Sequence, residues 1–262
     1  MIDIVQEVRL AEQRIRPLIR KTYLERSQHF SRLAAADLFL KLENLQHSGS
    51  FKVRGALNKL LALTPEELSR GVVTASTGNH GAAVAFGLKR LGVAGTIFLP
   101  RAAATGKIEA IERLGAGLRF HEGDPAEVEL HARRYAERGG LAYIPPYNDP
   151  LIIGGQGTIG LELLDQLESI DAVFVSLGGG GLLSGIAGYL KAAHPGLQVI
   201  GCSPQNSAVM IESLRAGEIL DLPSLPTLSD GTAGGIEQGS ITFELCQELV
   251  DDYVCLLYTS PS

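Results

Sequence analysis

Cysteine is scarce. Three residues in a chain of 262 are an odd number, which excludes a disulfide framework and suits a reduced, cytoplasmic setting. Long apolar runs are missing too: nothing approaches the ~20 residues needed to span a bilayer. The amino-terminal MIDIVQEVRLAEQRIRPLIR is peppered with charge and lacks the apolar block of a secretory signal. There is no basic excess either. Lys and Arg number 23 against 29 Asp and Glu, and the resulting charge of −6 argues against a nucleic-acid partner. The six His include no pair at metal-ligand spacing, so His29, His47, His121, His131 and His194 read as surface or local hydrogen-bonding groups and no metal is expected. Internal repeats and low-complexity linkers are also absent.

What is present is ordinary globular material with one outlier. Apolar residues make up 45% and charged residues 20%, which excludes disorder. Glycine supplies 31 positions, about 12% against a usual ~7%. The excess matters because it clusters.

The chain opens on an amphipathic helix with Ile4, Val5, Val8 and Ile15 near one face. Beyond it, short apolar runs alternate with helical patterns. Strands are expected at Leu38–Leu42, Val72–Ala75, Thr96–Leu99, Leu118–His121 and Leu141–Ile144. Helices are expected at Phe51–Leu63, after the Thr64-Pro65-Glu66-Glu67 capping box, and around 79–91, 103–114 and 126–138. The hard break at Pro145–Pro150 is the best internal boundary. A glycine-rich entry then leads into a helix at about 157–168, followed by strands at Asp171–Leu177 and Gln198–Cys202. This rhythm predicts mainly parallel sheets flanked by helices. The final CLLYTSPS lacks helix or strand context and reads as residues outside the fold.

Three glycine- or polar-rich turns carry the chemistry. Gly178-Gly179-Gly180-Gly181 lies between a buried strand and a helix, where missing Cβ atoms, free amides and a helix N-terminus make an anion site. A dinucleotide fingerprint fails because Leu183 stands where its last glycine belongs, and a P-loop fails because Ile186 stands in place of its lysine. A single phosphate group remains. Lys52 falls in the first turn of a helix, where the macrodipole disfavours a cation. An apolar pocket would lower its pKa and suit imine chemistry, although an exposed helical lysine is the plainer alternative. Ser76-Thr77-Gly78-Asn79-His80-Gly81 is again a strand-to-helix turn. It is either a carboxylate receptor or simple N-capping by Thr77 or Asn79.

Together, an imine-forming lysine, a metal-free phosphate cup and a carboxylate turn are what pyridoxal 5'-phosphate and an amino-acid substrate require. The strings KLENLQHSGSFKVRGA (41–56), ASTGNHG (75–81), GGQGTIGLE (154–162), SLGGGGLLSGIA (176–187) and LSDGTAGG (228–235) occur in this order. From about residue 5 to 254 the chain thereby resembles the fold-type-II pyridoxal-phosphate enzymes, in particular the threonine/serine dehydratase and serine racemase group. The resemblance implies an α/β, two-lobed, tryptophan synthase β-like fold, each lobe a mainly parallel sheet flanked by helices. Residues 1–66 and 149–262 would form the large cofactor-binding domain and 67–148 a small mobile one. Lys52 would be the Schiff-base lysine and the base for the Cα proton, Phe51 would back the ring, and Asn79 would bond the phenolic oxygen. Gly178, Gly179, Gly180, Gly181 and Leu182 would hold the phosphate, with Gly231 near the other side of the ring. Ser76, Thr77, Gly78, Asn79 and His80 would surround the substrate carboxylate.

The activity so implied is β-elimination of a hydroxy amino acid such as L-threonine or L-serine to a 2-oxo acid and ammonia, in a cytoplasmic homo-oligomer (dimer or tetramer). Alternatives are a dehydratase of hydroxyaspartate or of a hydroxyectoine-pathway substrate, a β-replacement synthase, a serine racemase, or a non-catalytic binding protein. GNHG leans against β-replacement. Thr77 stands where racemases of the group carry Ser, which leans against racemisation. Ser203–Val209 lacks the acids of the family's structural cation site, so no metal is expected there. The family also continues past 254 with a Ser or Cys that meets the pyridine nitrogen. Cys255 does not match it, and the chain is expected to be truncated and weakly active or inactive.

Overall fold

The computed structural model describes residues 2–101, 103, 105–123 and 125–257. Helix α1 (Ile4–Ile15) opens the chain and buries Ile4, Val8, Ala11 and Ile15, while Val5 stays half-exposed. The remaining fold falls into two units. Gln13–Ile144 form one; the residues up to Glu12 and those from Pro145 onward form the other.

In the first unit, β1 (Leu24–Arg26) and β2 (Phe39–Lys41) pair antiparallel on either side of α2 (Gln28–Ala34). Next come α3 (Lys52–Ala62) and α4 (Pro65–Arg70). The expected capping box closes α4: Glu67 N–H donates to Thr64 Oγ1 at 3.2 Å, and Thr64 N–H donates to Glu67 Oε2 at 2.8 Å. An alternation of β3 (Val72–Ala75), α5 (Asn79–Leu91), β4 (Gly95–Pro100), α6 (Thr105–Glu112), β5 (Gly117–His121), α7 (Pro125–Gly139) and β6 (Ala142–Tyr143) follows. The four strands form a parallel sheet in the order β5-β4-β3-β6. On one side Val73, Ala75 and Phe98 pack on Val128, Ala132 and Ala136 of α7; on the other, Ile97 and Leu99 pack on Ala85 and Ile111. Burial on both sides explains why every residue of β3 is buried rather than alternate ones.

The second unit contains α8 (Pro150–Gln166), β7 (Ala172–Ser176), α9 (Gly181–Ala193), β8 (Gln198–Pro204), α10 (Val209–Ala216), α11 (Ile241–Leu249) and β9 (Asp252–Leu256). Its sheet is parallel in the order β7-β8-β9. Two expectations are corrected here. Helix α8 begins at Pro150 rather than near 157, because Asp149 caps it by accepting from Leu151 N–H (2.9 Å) and Ile152 N–H (3.3 Å). The glycines of GGQGTIG are therefore helical. Cys255 and Leu256 are not outside the fold: they continue β9 against Ser203 and Pro204. Residues 258–262 lie outside the described residues. Among the described residues, no helix is long and apolar enough to cross a membrane.

Candidate active site

Lys52 is the first residue of α3, with Phe51 at the N-cap. The loop before it is held by a buried ion pair. Arg54, fully buried, donates to Glu43 through Nε (2.8 Å) and Nη2 (2.7 Å), and Thr22 Oγ1 donates to Glu43 Oε1 at 2.6 Å. A fork-to-fork pair of this kind fixes orientation as well as distance. The helix cannot roll without leaving a charge unpaired, so Lys52 has a defined place.

The Lys52 amine lies 5.3 Å from the centre of the Phe51 ring, and the residue as a whole is half-buried. Burial disfavours its ammonium and brings the pKa down to about 8, against the opposing pull of the Glu129 carboxylate. Glu129 itself accepts from Arg133 Nη2 at 2.9 Å, and that guanidinium stacks 4.9 Å above the Tyr143 ring.

The β3–α5 turn carries Ser76, Thr77 and Gly78, all half-buried, and Asn79, which is exposed. Ser76 Oγ accepts from Gly78 N–H at 3.2 Å, and the Gly78 N-cap offers no side-chain bond to the first turn of α5. Thus neither Thr77 nor Asn79 caps this helix. Gly81 is demanded by the turn itself, since a Cβ there would lie 2.2 Å from Ser76 O. His80 is buried, and its Nε2 lies 3.0 Å from Ile144 O. A carbonyl only accepts, so Nε2 carries the proton and Nδ1 is bare. Burial first, then the nearby Lys52 charge, push its pKa down to about 3. The ring is neutral and meets a carboxylate, if at all, without a formal charge.

In the other unit, Gly178–Gly181 join β7 to α9. Gly180 is left-handed (φ +85°), and no side chain caps α9. The glycines have a second reason besides ligand access. A Cβ on Gly178 would lie 2.8 Å from Thr232 O, and one on Gly179 would lie 2.5–2.8 Å from Tyr147 ring atoms. At Gly180 it would press on Thr242, Cys246 and Met210, and at Gly181 on Tyr147 again. Protein atoms, not ligand access alone, exclude side chains here. Gly231 sits in the short turn Asp230–Thr232 whose last residue meets Gly178, and Leu182 lies half-buried in the first turn of α9. Sequence reasoning missed Tyr147 and Glu129. Tyr147 was visible only as part of a Pro-rich boundary, and nothing in the spacing relates Glu129 to Lys52. No cluster of three or more potential metal ligands occurs among the described residues.

Residues 15–256 match the family described as pyridoxal-phosphate dependent enzyme. The chain belongs to that family. It is 39% identical over 252 residues to the L-threonine ammonia-lyase of Thermotoga maritima, covering 96% of this chain and 63% of that protein. It is 40% identical over 250 residues to the catabolic L-threonine dehydratase TdcB of Escherichia coli, covering 95% and 76%. The structure of maize serine racemase superposes with a TM-score of 0.93 at 36% identity, covering 97% of this chain and 77% of that one. The chain therefore spans less than two thirds of the Thermotoga relative's length. The fold class and the cofactor expected from the resemblance are both borne out.

The residues present fit pyridoxal phosphate. An α9 N-terminus without a side-chain cap offers amides to a phosphate. A lysine held near pKa 8 offers a nucleophilic amine to an aldehyde.

Proposed function

We propose that this protein is an ammonia-lyase that eliminates water from a β-hydroxy amino acid, L-threonine or L-serine, yielding a 2-oxo acid and ammonia. The observation that carries the reading is Lys52: a lysine at a helix N-terminus whose ammonium is destabilised by burial. The threonine ammonia-lyase and dehydratase names of the two relatives support the substrate class. When bound, pyridoxal phosphate supplies an electron-withdrawing ring that acidifies the Cα–H. Lys52 would hold the aldehyde carbon, with Phe51 and Asn79 beside the ring and Gly231 on its other side. The amides of Gly178, Gly179, Gly180, Gly181 and Leu182 would receive the phosphate.

The chain's own contribution is positioning and proton transfer. Ser76, Thr77 and Gly78, with the first amides of α5, orient the substrate carboxylate, since a helix N-terminus favours an anion. Lys52 is neutral at pH 8 far more often than an ordinary lysine, so it can accept the Cα proton at Nζ. Neutral His80 holds its own loop through Ile144 rather than pairing with the carboxylate. A two-lobe division at residues 1–66 and 149–262 against 67–148, a cytoplasmic location and a homo-oligomeric state belong to the same reading. Two separate parallel sheets support the lobes.

Reconstitution with pyridoxal phosphate tests the proposal. Serine, threonine and hydroxyaspartate are supplied in turn, and 2-oxo acid and ammonia are measured. Release from threonine or serine, abolished in Lys52→Ala, is expected. Stereochemical inversion of serine without 2-oxo acid would favour racemisation, the second reading, which the similarity to maize serine racemase keeps in play.

A further inference from the structure

Four consecutive glycines are a poor anion receptor on their own. Each loses more backbone freedom on ordering than any other residue, so the turn has to be held from outside if its amides are to converge. The structure shows what holds it. The Tyr147 ring lies across Gly179, close enough that a Cβ there would fall 2.5–2.8 Å from its atoms, and a Cβ on Gly181 would lie 3.0–3.1 Å from the Tyr147 Cβ, O and Cα. Tyr147 is fixed in turn, because its hydroxyl accepts from Glu237 N–H at 2.9 Å. The next residue, Asn148, accepts from Ile241 N–H at 2.9 Å and donates to the Glu237 carboxylate. Thr242 Oγ1 also donates to Gly179 O at 2.7 Å. One segment, 237–242, thus anchors both the turn and the residue that covers it.

We propose that Tyr147 is a positioning residue that pre-organises the Gly178–Gly181 turn for the cofactor phosphate. The assignment rests on the cofactor reading above. It makes Tyr147 matter to the phosphate and not to the aldehyde, so two probes separate the effects: pyridoxal phosphate, and pyridoxal, which lacks the phosphate. Each aldehyde is trapped on Lys52 by borohydride across a concentration series and quantified by peptide mass spectrometry. Tyr147→Ala should weaken capture of pyridoxal phosphate by about tenfold or more, the ordering cost being moved into binding, and leave pyridoxal capture within about twofold. Tyr147→Phe keeps the ring over Gly179 but loses the bond from Glu237 N–H, so it should fall between wild type and Tyr147→Ala. Tyr147→Leu is the substitute if the alanine variant does not fold. Gly179→Ala should impair capture in the wild-type background and be relieved when combined with Tyr147→Ala, because the collision it creates is with that ring. Equal loss for both aldehydes, or unchanged capture in Tyr147→Ala and Tyr147→Leu, would overturn the assignment alone. Absence of any pyridoxal phosphate on wild-type Lys52 would overturn the cofactor reading and this assignment with it.

Discussion

Burial acts in the same direction on two bases in the Gln13–Ile144 unit and makes stability rise with pH for both, in different pH windows. Lys52 titrates near 8 instead of 10.5. Between those values the unfolded chain binds more protons than the folded one, so stability rises with pH across the window. Below about pH 8 the cost of burying the amine is complete, and above 10.5 it is gone. Lys52→Met is therefore expected to raise the melting temperature at pH 7 and to lose that advantage as the pH climbs to 10.5. A gain independent of pH would show that the amine is not held in its neutral form. His80 has the same sign in a more acidic window. Its pKa falls from 6.5 to about 3, so its contribution is whole above 6.5 and is lost as the pH drops toward 3. Glutamine can still donate to Ile144 O but cannot take up a proton in this range. His80→Gln should consequently flatten the acid limb of the stability curve between pH 6.5 and 3. Parallel curves for the two proteins would exclude His80 as the group responsible.

At the level of elements, glycine in α8 and α9 serves close helix contact rather than turning. A Cβ on Gly185 of α9 would lie 2.3 Å from Ile153 O and 2.7 Å from Gly157 N of α8, backbone atoms that have no room to move. Gly106 in α6 has nothing within 4 Å of its notional Cβ. Gly185→Ala is expected to cost more than about 2 kcal/mol through forced helix separation, whereas Gly106→Ala should stabilise by ~0.5 kcal/mol through helix propensity. Chemical denaturation of both variants checks the contrast, and similar effects at the two positions would refute it. The same glycines mark the limit of what was readable. Periodicity located β3 to the residue and α5 closely, because strand and helix patterns alternate cleanly there. The start of α8 was missed although its signal was present: Asp149-Pro150 is an N-cap followed by Pro at the first helical position. Composition drew attention to the glycines as breakers, and tertiary contact overrode that preference. Asp149→Ala should accordingly cost about 1 kcal/mol, measured by the same denaturation.

For the molecule as a whole, order along the chain was legible while the surroundings of each residue were not. The Lys52 turn, the β3–α5 turn and the tetraglycine stood out as motifs. The ion pair beneath α3, the Ile144 carbonyl that accepts from both Thr74 and His80, and the Tyr147 cover join residues 11 to 70 or more positions apart, which no local pattern encodes. Nor did the sequence indicate that the β7-β8-β9 sheet would be covered so unevenly. Val175, Val199 and Ser203 of one face are buried, whereas on the other Phe174 is 66% exposed and Leu256 54%. The register places Phe174 beside Ile200, and Cys202 beside Val254, so the apolar positions form one continuous surface. Parallel sheets ordinarily bury both faces, and an apolar area of this kind drives association. The protein should bind an apolar fluorescent dye and self-associate with rising concentration. Threonine suits a strand while removing most of the apolar surface, so the double variant Phe174→Thr, Leu256→Thr should reduce both effects without loss of secondary structure. Sedimentation and dye titration read this directly: equal dye binding and equal association in the two proteins would mean that this face is not what the solvent meets.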